Sequence, residues 1–133
     1  MPYHCDWYLP YRVADARMWG TVSLQEMEDY TNTCVRLLTE AQKHNPGGVV
    51  HILLDTREAV SIPPLYLMIS QGIRVMKFGN LGTMFLIAEN GSTRSVIEVT
   101  SRVMRERFPL RIFKERQEAL DALVTYLARD ARR

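Results

Sequence analysis

The sequence predicts an α/β protein whose elements follow the order ββαβαβαβα. Residues 49–57 and 81–88 are rich in apolar and β-branched side chains, which is typical of strands buried on both faces. Helical patterns separate these runs, and strands that alternate with helices become parallel through right-handed crossovers. We therefore expect a mixed, mostly parallel sheet covered by helices, in one domain over residues 1–133. Its first strand lies within residues 1–10, and a short basic tail occupies residues 129–133.

The first two strands are expected to form an antiparallel hairpin. Residues 3–8 and 11–19 contain many aromatic side chains, and the short separation at Leu9 and Pro10 is typical of a turn. Gly20 is expected to end the second strand.

The first helix is the longest. Ser23, with Glu26 three residues later, predicts a capping box at its start, and residues 45–48 contain the proline and glycines that end it. Apolar or small residues recur at intervals of three and four, which predicts one buried stripe. The stripe consists of Leu24, Met27, Thr31, Cys34, Leu38 and Ala41.

The polar residues after the apolar run 49–54 form the expected functional site. Ligands and partners meet parallel sheets at the carboxyl ends of the strands, and Asp55, Thr56 and Arg57 stand at that position. Two interpretations stay open. Asp55 and Arg57 bind a ligand or partner, or they pair with each other, an interaction of about 0–1 kcal/mol when exposed.

The helix expected over residues 63–78 is apolar on more than one side, which predicts burial on more than one side. Its surplus of methionine gives an adaptable apolar surface. This surface is simply core, or it is the seam of a homodimer, or it is the wall of an apolar pocket. One stripe contains Leu65, Ile69, Ile73 and Met76, and a second group contains Leu67, Met68, Val75 and Phe78.

A third helix is expected after Ser92 or Thr93, either of which can cap it. These residues could also hold an anion on free backbone N–H groups, although capping alone explains them. Residues 110–113 predict a short last strand, and residues 115–128 predict a last helix. The inward side chains of that helix are Ala119, Leu120, Leu123, Val124 and Leu127.

Composition excludes several classes of protein. A formal net charge of +2 is too small to indicate nucleic-acid binding. The longest apolar run, residues 62–69, is far shorter than the roughly 20 residues that span a bilayer, and the first residues lack the pattern of a signal peptide. We therefore expect a cytoplasmic protein without stable membrane insertion.

Candidate groups for metal binding or catalysis are few. Cys5 and Cys34 have no metal-ligand spacing and do not make a disulfide framework, and Cys34 is interpreted as a small buried hydrophobe. His51 is interpreted as a core histidine with a hydrogen-bonded ring. No nucleophile with a base and no zinc pattern is found. We expect no metal, no cofactor and no enzymatic activity.

With these residues in place, the chain resembles the SpoIIAA-like, or STAS/SEC14-like, small bacterial domains related to anti-sigma-factor antagonists. The resemblance covers residues 13–127 and rests on the strands at 52–57 and 84–88, and on residues 111–113 leading into 118–123. It implies a non-catalytic module that binds a partner protein, a nucleotide or an apolar ligand. The phosphorylatable Asp-Ser-Ser-Gly loop of the antagonists is missing.

Three functions follow as hypotheses. The first is a regulatory interaction domain that binds a protein partner of the anti-sigma type or forms a homodimer. The second is an apolar small-molecule or lipid-binding domain, and the third and weakest is an enzyme working at Asp55 and Arg57. The expected partner or ligand site contains Asp55, Thr56, Arg57, Ser61, Leu65, Met68, Ile69, Ile73 and Met76.

Overall fold

A computed structural model describes residues 3–61, 65–89, 102 and 110–132; within the second helix the described side chains are those of residues 70–75. The expected third helix, with the anion site at Ser92 and Thr93, lies outside the described residues. The elements are β1 (Tyr3–Leu9), β2 (Val13–Thr21), α1 (Leu24–His44), β3 (Val50–Ser61), α2 (Leu65–Met76), β4 (Leu81–Ile87), β5 (Leu110–Phe113) and α3 (Arg116–Asp130).

The five strands form one mixed sheet in the order β1-β2-β3-β4-β5. β1 is antiparallel to β2, whereas β2, β3, β4 and β5 are parallel to their neighbours. This confirms the expected α/β fold with its mostly parallel sheet. Among the described residues, no helix combines the length and apolar character needed to cross a membrane.

β3 is the central strand, and residues 50–56 are all buried. Val50, Ile52 and Leu54 join one hydrophobic cluster, whereas Leu53 joins a second cluster on the opposite face. The prediction that this run is buried on both faces is therefore confirmed.

Helices cover both faces of the sheet. One face, called the α1 face, packs against buried residues of α1 and against Val75 of α2. The other, called the α3 face, packs against Ala119 and Leu123 of α3. Val124 was expected to point inward but is 65% exposed, because the buried line of α3 follows Ala119 and Leu123, four residues apart.

The hairpin is confirmed, but its boundaries differ from those expected. Tyr11 lies in the turn with a φ of 64°, so β2 begins at Val13. β2 also continues past Gly20, where the break was expected. Gly20 adopts a φ of 64°, and the register with β3 shifts between Gly20 and Thr21. Glycine tolerates this left-handed conformation, so it serves as a bulge within the strand.

The capping box at the start of α1 is confirmed. The Ser23 hydroxyl accepts from the backbone N–H of Glu26 at 3.2 Å, and the Glu26 carboxylate accepts from the backbone N–H of Ser23 at 3.0 Å. The predicted stripe is buried from Met27 onward. Leu24 is the exception, since it is 40% exposed in the first turn.

Candidate functional site

Asp55, Thr56 and Arg57 lie within β3 and not at its end, because β3 continues to Ser61. They nevertheless lie at the carboxyl ends of the neighbouring strands. Asp55 is in register with Ile87, the last residue of β4, and Ile87 is in register with Phe113, the last residue of β5. The expected placement at the end of β3 is therefore wrong, and Asp55 is instead level with the last residues of β4 and β5.

Asp55 and Arg57 pair with each other. The Asp55 side chain is 9% exposed. Its Oδ1 accepts from Nε of Arg57 at 3.0 Å, and its Oδ2 accepts from the guanidinium NH2 group at 2.8 Å. Oδ1 also accepts from the backbone N–H of Arg57 at 3.0 Å. A carboxylate that accepts this many bonds holds the arginine in one orientation.

This pairing determines the charge states of both groups. Burial opposes ionisation of Asp55, but the hydrogen bonds from the Arg57 side chain and backbone outweigh it and lower the pKa of the carboxyl. The same side-chain hydrogen bond raises the pKa of Arg57. Asp55 therefore stays ionised and paired with Arg57 at neutral pH.

Further ion pairs extend along the α3 face. Arg57 lies 3.8 Å from the carboxylate of Glu115, and Arg116 donates to Asp15 at 2.9 Å. We call these ion pairs, together with the pair formed by Arg17 and Glu58, the ion-pair strip. It consists of Asp15, Arg17, Asp55, Arg57, Glu58, Glu115 and Arg116.

Arg17 and Glu58 form the exposed end of the strip. Their charged atoms are 3.9 Å apart, and the side chains are 54% and 63% exposed. The guanidinium of Arg17 also lies 5.1 Å from the centre of the Trp19 ring, which is within the range of a cation–π contact. The sequence analysis did not identify Arg17 and Glu58 as part of a site. The signal that could have found them is the alternation of positions 15, 17 and 19, which places these side chains on one face of β2.

β2 and β3 run on beyond the last residues of β4 and β5. Trp19 pairs with Glu58, and Thr21 pairs with Ser61, while the pairing of β3 with β4 ends at Asp55. We call residues 17–21 and 56–61 the two-strand extension. Within the described part of the chain, no strand pairs with the second edge of β3 after Asp55. Val60 is 73% exposed there.

Thr56 and Ser61 have different surroundings. The buried hydroxyl of Thr56 donates to the carbonyl of Ile87 at 2.9 Å, which ties β3 to the end of β4. Ser61 is exposed, and its carbonyl accepts from the backbone N–H of Val22 at 2.9 Å. Thr56 is thus turned toward the interior, and Ser61 toward solvent.

The α2 residues of the predicted site lie on the other face of the sheet from Asp55. Val75 is buried against the α1 face, whereas Ile73 is 41% exposed. Leu65, Met68, Ile69 and Met76 belong to α2, but their side chains lie outside the description. The sheet therefore separates the two halves of the predicted surface.

A second polar pair lies at the amino end of β3. Nε2 of His51 is 2.6 Å from Oδ2 of Asp130, and Nδ1 accepts from the backbone N–H of Thr83 at 3.0 Å. Because Nδ1 accepts, the ring proton belongs on Nε2, which donates to Asp130. The ring is 3% exposed. Both nitrogens are occupied, so His51 fills a structural position.

Beside Asp130 is an open groove of about 320 Å³. Its walls mix polar and apolar residues, and it shares no residue with the ion-pair strip. The lining residues are Arg12, Asn45, Pro46, Gly47, Gly48, Val49, Leu127 and Asp130. Over residues 3–61, 65–89, 102 and 110–132, no group of three or more histidine, cysteine, aspartate or glutamate side chains is placed to hold a metal ion.

Comparison with known proteins does not assign the chain to a family. No protein-family model matches the chain, and no curated protein matches it significantly.

Proposed function

We propose that this protein is a non-enzymatic interaction domain of the SpoIIAA-like type that acts through self-association. The two-strand extension is its contact surface, and a second copy of the chain is its partner. The observation that carries the proposal is the exposure of Val60, at 73%, on a strand edge without a described partner. Exposed apolar edges of this kind are templates for pairing with another strand.

Charge supports a second copy as the occupant. Arg17 and Glu58 place one positive and one negative side chain on the same exposed surface. Contacts about a two-fold axis are reciprocal, so one arrangement brings Arg17 of each copy to Glu58 of the other. Trp19 adds aromatic area beside them, and tryptophan and arginine are enriched at the energetic centres of interfaces.

The pairing within the ion-pair strip argues against catalysis at Asp55. Both oxygens of its carboxylate accept from Arg57, and its lowered pKa makes it a poor base. Arg57 is likewise held between Asp55 and Glu115. An arrangement of this kind keeps the surface of the extension rigid, which reduces the entropy lost on association.

Sedimentation equilibrium over a wide range of protein concentration tests the proposal. We expect the wild-type chain to dimerise, and we expect Val60→Asp to raise the dissociation constant at least about tenfold. The introduced carboxylate would have to lose water at the contact.

Val124→Asp is the matched control. Val124 is also an exposed valine, at 65%, but it lies on α3 and outside the extension. We expect this variant to dimerise like the wild type. A wild-type chain that stays monomeric at every concentration would contradict the proposal, as would equal weakening by both substitutions.

A further inference from the structure

The fold brings the two cysteines of the sequence together, although they are 29 positions apart. Cys5 lies on the edge strand β1 and packs against the core cluster on the α1 face. Cys34 lies on the buried side of α1 and belongs to the same cluster, with 1% exposure. Tyr3, on the same side of β1 as Cys5, contacts Tyr30, one turn before Cys34 on α1, with the ring centres 6.0 Å apart. The two cysteines therefore lie beside each other between β1 and α1, and both are free.

A buried tyrosine accompanies the two thiols. Tyr30 is 5% exposed, and its hydroxyl has no hydrogen-bond partner within the described structure. It lies one helical turn before Cys34, and the two groups interact. A buried hydroxyl normally has a partner, and the groups that act on the Tyr30 hydroxyl are the two thiols.

The thiols also influence each other's ionisation. The hydrogen bond with Cys34, together with burial, raises the pKa of Cys5. The hydrogen bond with Cys5 lowers the pKa of Cys34 against the effect of burial, and the Tyr30 hydroxyl lowers it further. One proton of the pair is therefore released more readily than the other, and a thiolate is the reactive form in disulfide exchange.

We propose that Cys5 and Cys34 form a reversible intramolecular disulfide that fastens the edge strand β1 to α1. The oxidant is a small-molecule disulfide such as oxidised glutathione. Cys5 reacts first because it is the partly exposed thiol, although its pKa is raised. It loses its proton to solvent, and its thiolate attacks one sulfur of that molecule. This forms a mixed disulfide and expels one thiolate, which takes up a proton.

Cys34 completes the reaction. Its thiolate attacks the Cys5 sulfur, which forms the protein disulfide and expels the second reduced thiol. Overall, the protein loses two protons and two electrons, and one glutathione disulfide takes them up to become two glutathione thiols. Excess reduced thiol reverses both steps.

Equilibration of the full chain with glutathione buffers from reducing to oxidising tests the proposal. After acid quenching, mass spectrometry of tryptic peptides should find residues 1–12 joined to residues 18–36, since these peptides carry the two cysteines. We expect the oxidised protein to unfold on the order of 5–10 °C higher, because the cross-link restricts the unfolded chain.

Cys34→Ala is the matched control. We expect its reaction to stop at a stable glutathione adduct on Cys5, with no comparable rise in melting temperature. Three results with the wild-type protein would each overturn the proposal: two free thiols under the most oxidising buffer, a persistent glutathione adduct on Cys5, or a dimer linked through Cys5. None of these readouts depends on the proposed self-association through Val60.

Discussion

β3 carries two buried polar side chains on its α3 face, His51 near its amino end and Asp55 in its carboxyl half. Asp55 is held by Arg57, only two residues away. His51 is held by the backbone of Thr83 on β4 and by Asp130 at the end of α3. The first arrangement is local in sequence and leads toward an exposed surface. The second joins three elements and stabilises the packing of α3.

Gly82→Ala should produce the largest effect at the His51 end. A Cβ atom at residue 82 would lie 2.6 Å from Nδ1 of His51 and 3.2 Å from the carbonyl of Val50. The ring is buried and cannot move freely, so we expect a loss of about 2–3 kcal/mol in the free energy of unfolding, measured by urea denaturation.

Gly79→Ala is the control for this substitution, since nothing lies within 4 Å of a Cβ atom there. It should leave stability nearly unchanged. Equal stability of the two variants would mean that the close approach of His51 to residue 82 is wrong.

Asp55→Asn should have an intermediate effect at the other end of the strand. The asparagine amide is uncharged and has one acceptor oxygen, so it cannot replace both hydrogen bonds from the Arg57 guanidinium. We therefore expect a loss of about 1–2 kcal/mol in the free energy of unfolding at neutral pH. Urea titration of both proteins measures it. A stable variant with unchanged unfolding would indicate that the pair with Arg57 contributes little.

The pH dependence of this difference sharpens the comparison. The folded state lowers the pKa of Asp55 below its ordinary value of 3.8, so the carboxylate contributes its full stabilisation above that value. The contribution is lost as the pH falls through the lowered pKa. The stability gap between wild type and Asp55→Asn should therefore narrow below about pH 4. A gap that is constant from pH 7 to about pH 2 would exclude this linkage.

Asp130→Asn should produce the smallest effect. The amide oxygen can still accept from Nε2 of His51, and the carboxylate that it replaces is 26% exposed. We expect a loss of about 0.5–1 kcal/mol, because a charge-assisted hydrogen bond becomes a neutral one. If Asp130→Asn lowered the free energy of unfolding as much as Gly82→Ala, the ranking of these two substitutions would be wrong.

Local patterns were sufficient where a few neighbouring residues determine the structure. The capping box at Ser23 depends on contacts close in sequence, and a continuous apolar run marks the double burial of residues 50–54. The pairing of Asp55 with Arg57 is also local, but the sequence left it open against ligand binding. The break expected at Gly20 was wrong for a related reason. Glycine ends strands and also forms bulges within them, and only the pairing of β2 with β3 distinguishes the two outcomes.

Contacts between distant parts of the chain could not be predicted in the same way. Arg116 reaches Asp15 across 101 residues, and His51 reaches Asp130 across 79. We expected α2 and Asp55 to share one surface, but they lie on opposite faces of the sheet. Periodicity shows which side of a helix is buried, but not which face of the sheet that helix covers.

The sequence by itself determined the α/β class, the hairpin, the long capped helix and a central strand buried on both sides. These follow from the period of the apolar residues and from short-range capping and turn preferences, which act within one element. Only the tertiary structure decided that β2 and β3 extend beyond the ends of β4 and β5, and that Cys5 and Cys34 pack in the same cluster. Strand register and helix placement are set by packing over the whole domain, which no single stretch of residues encodes.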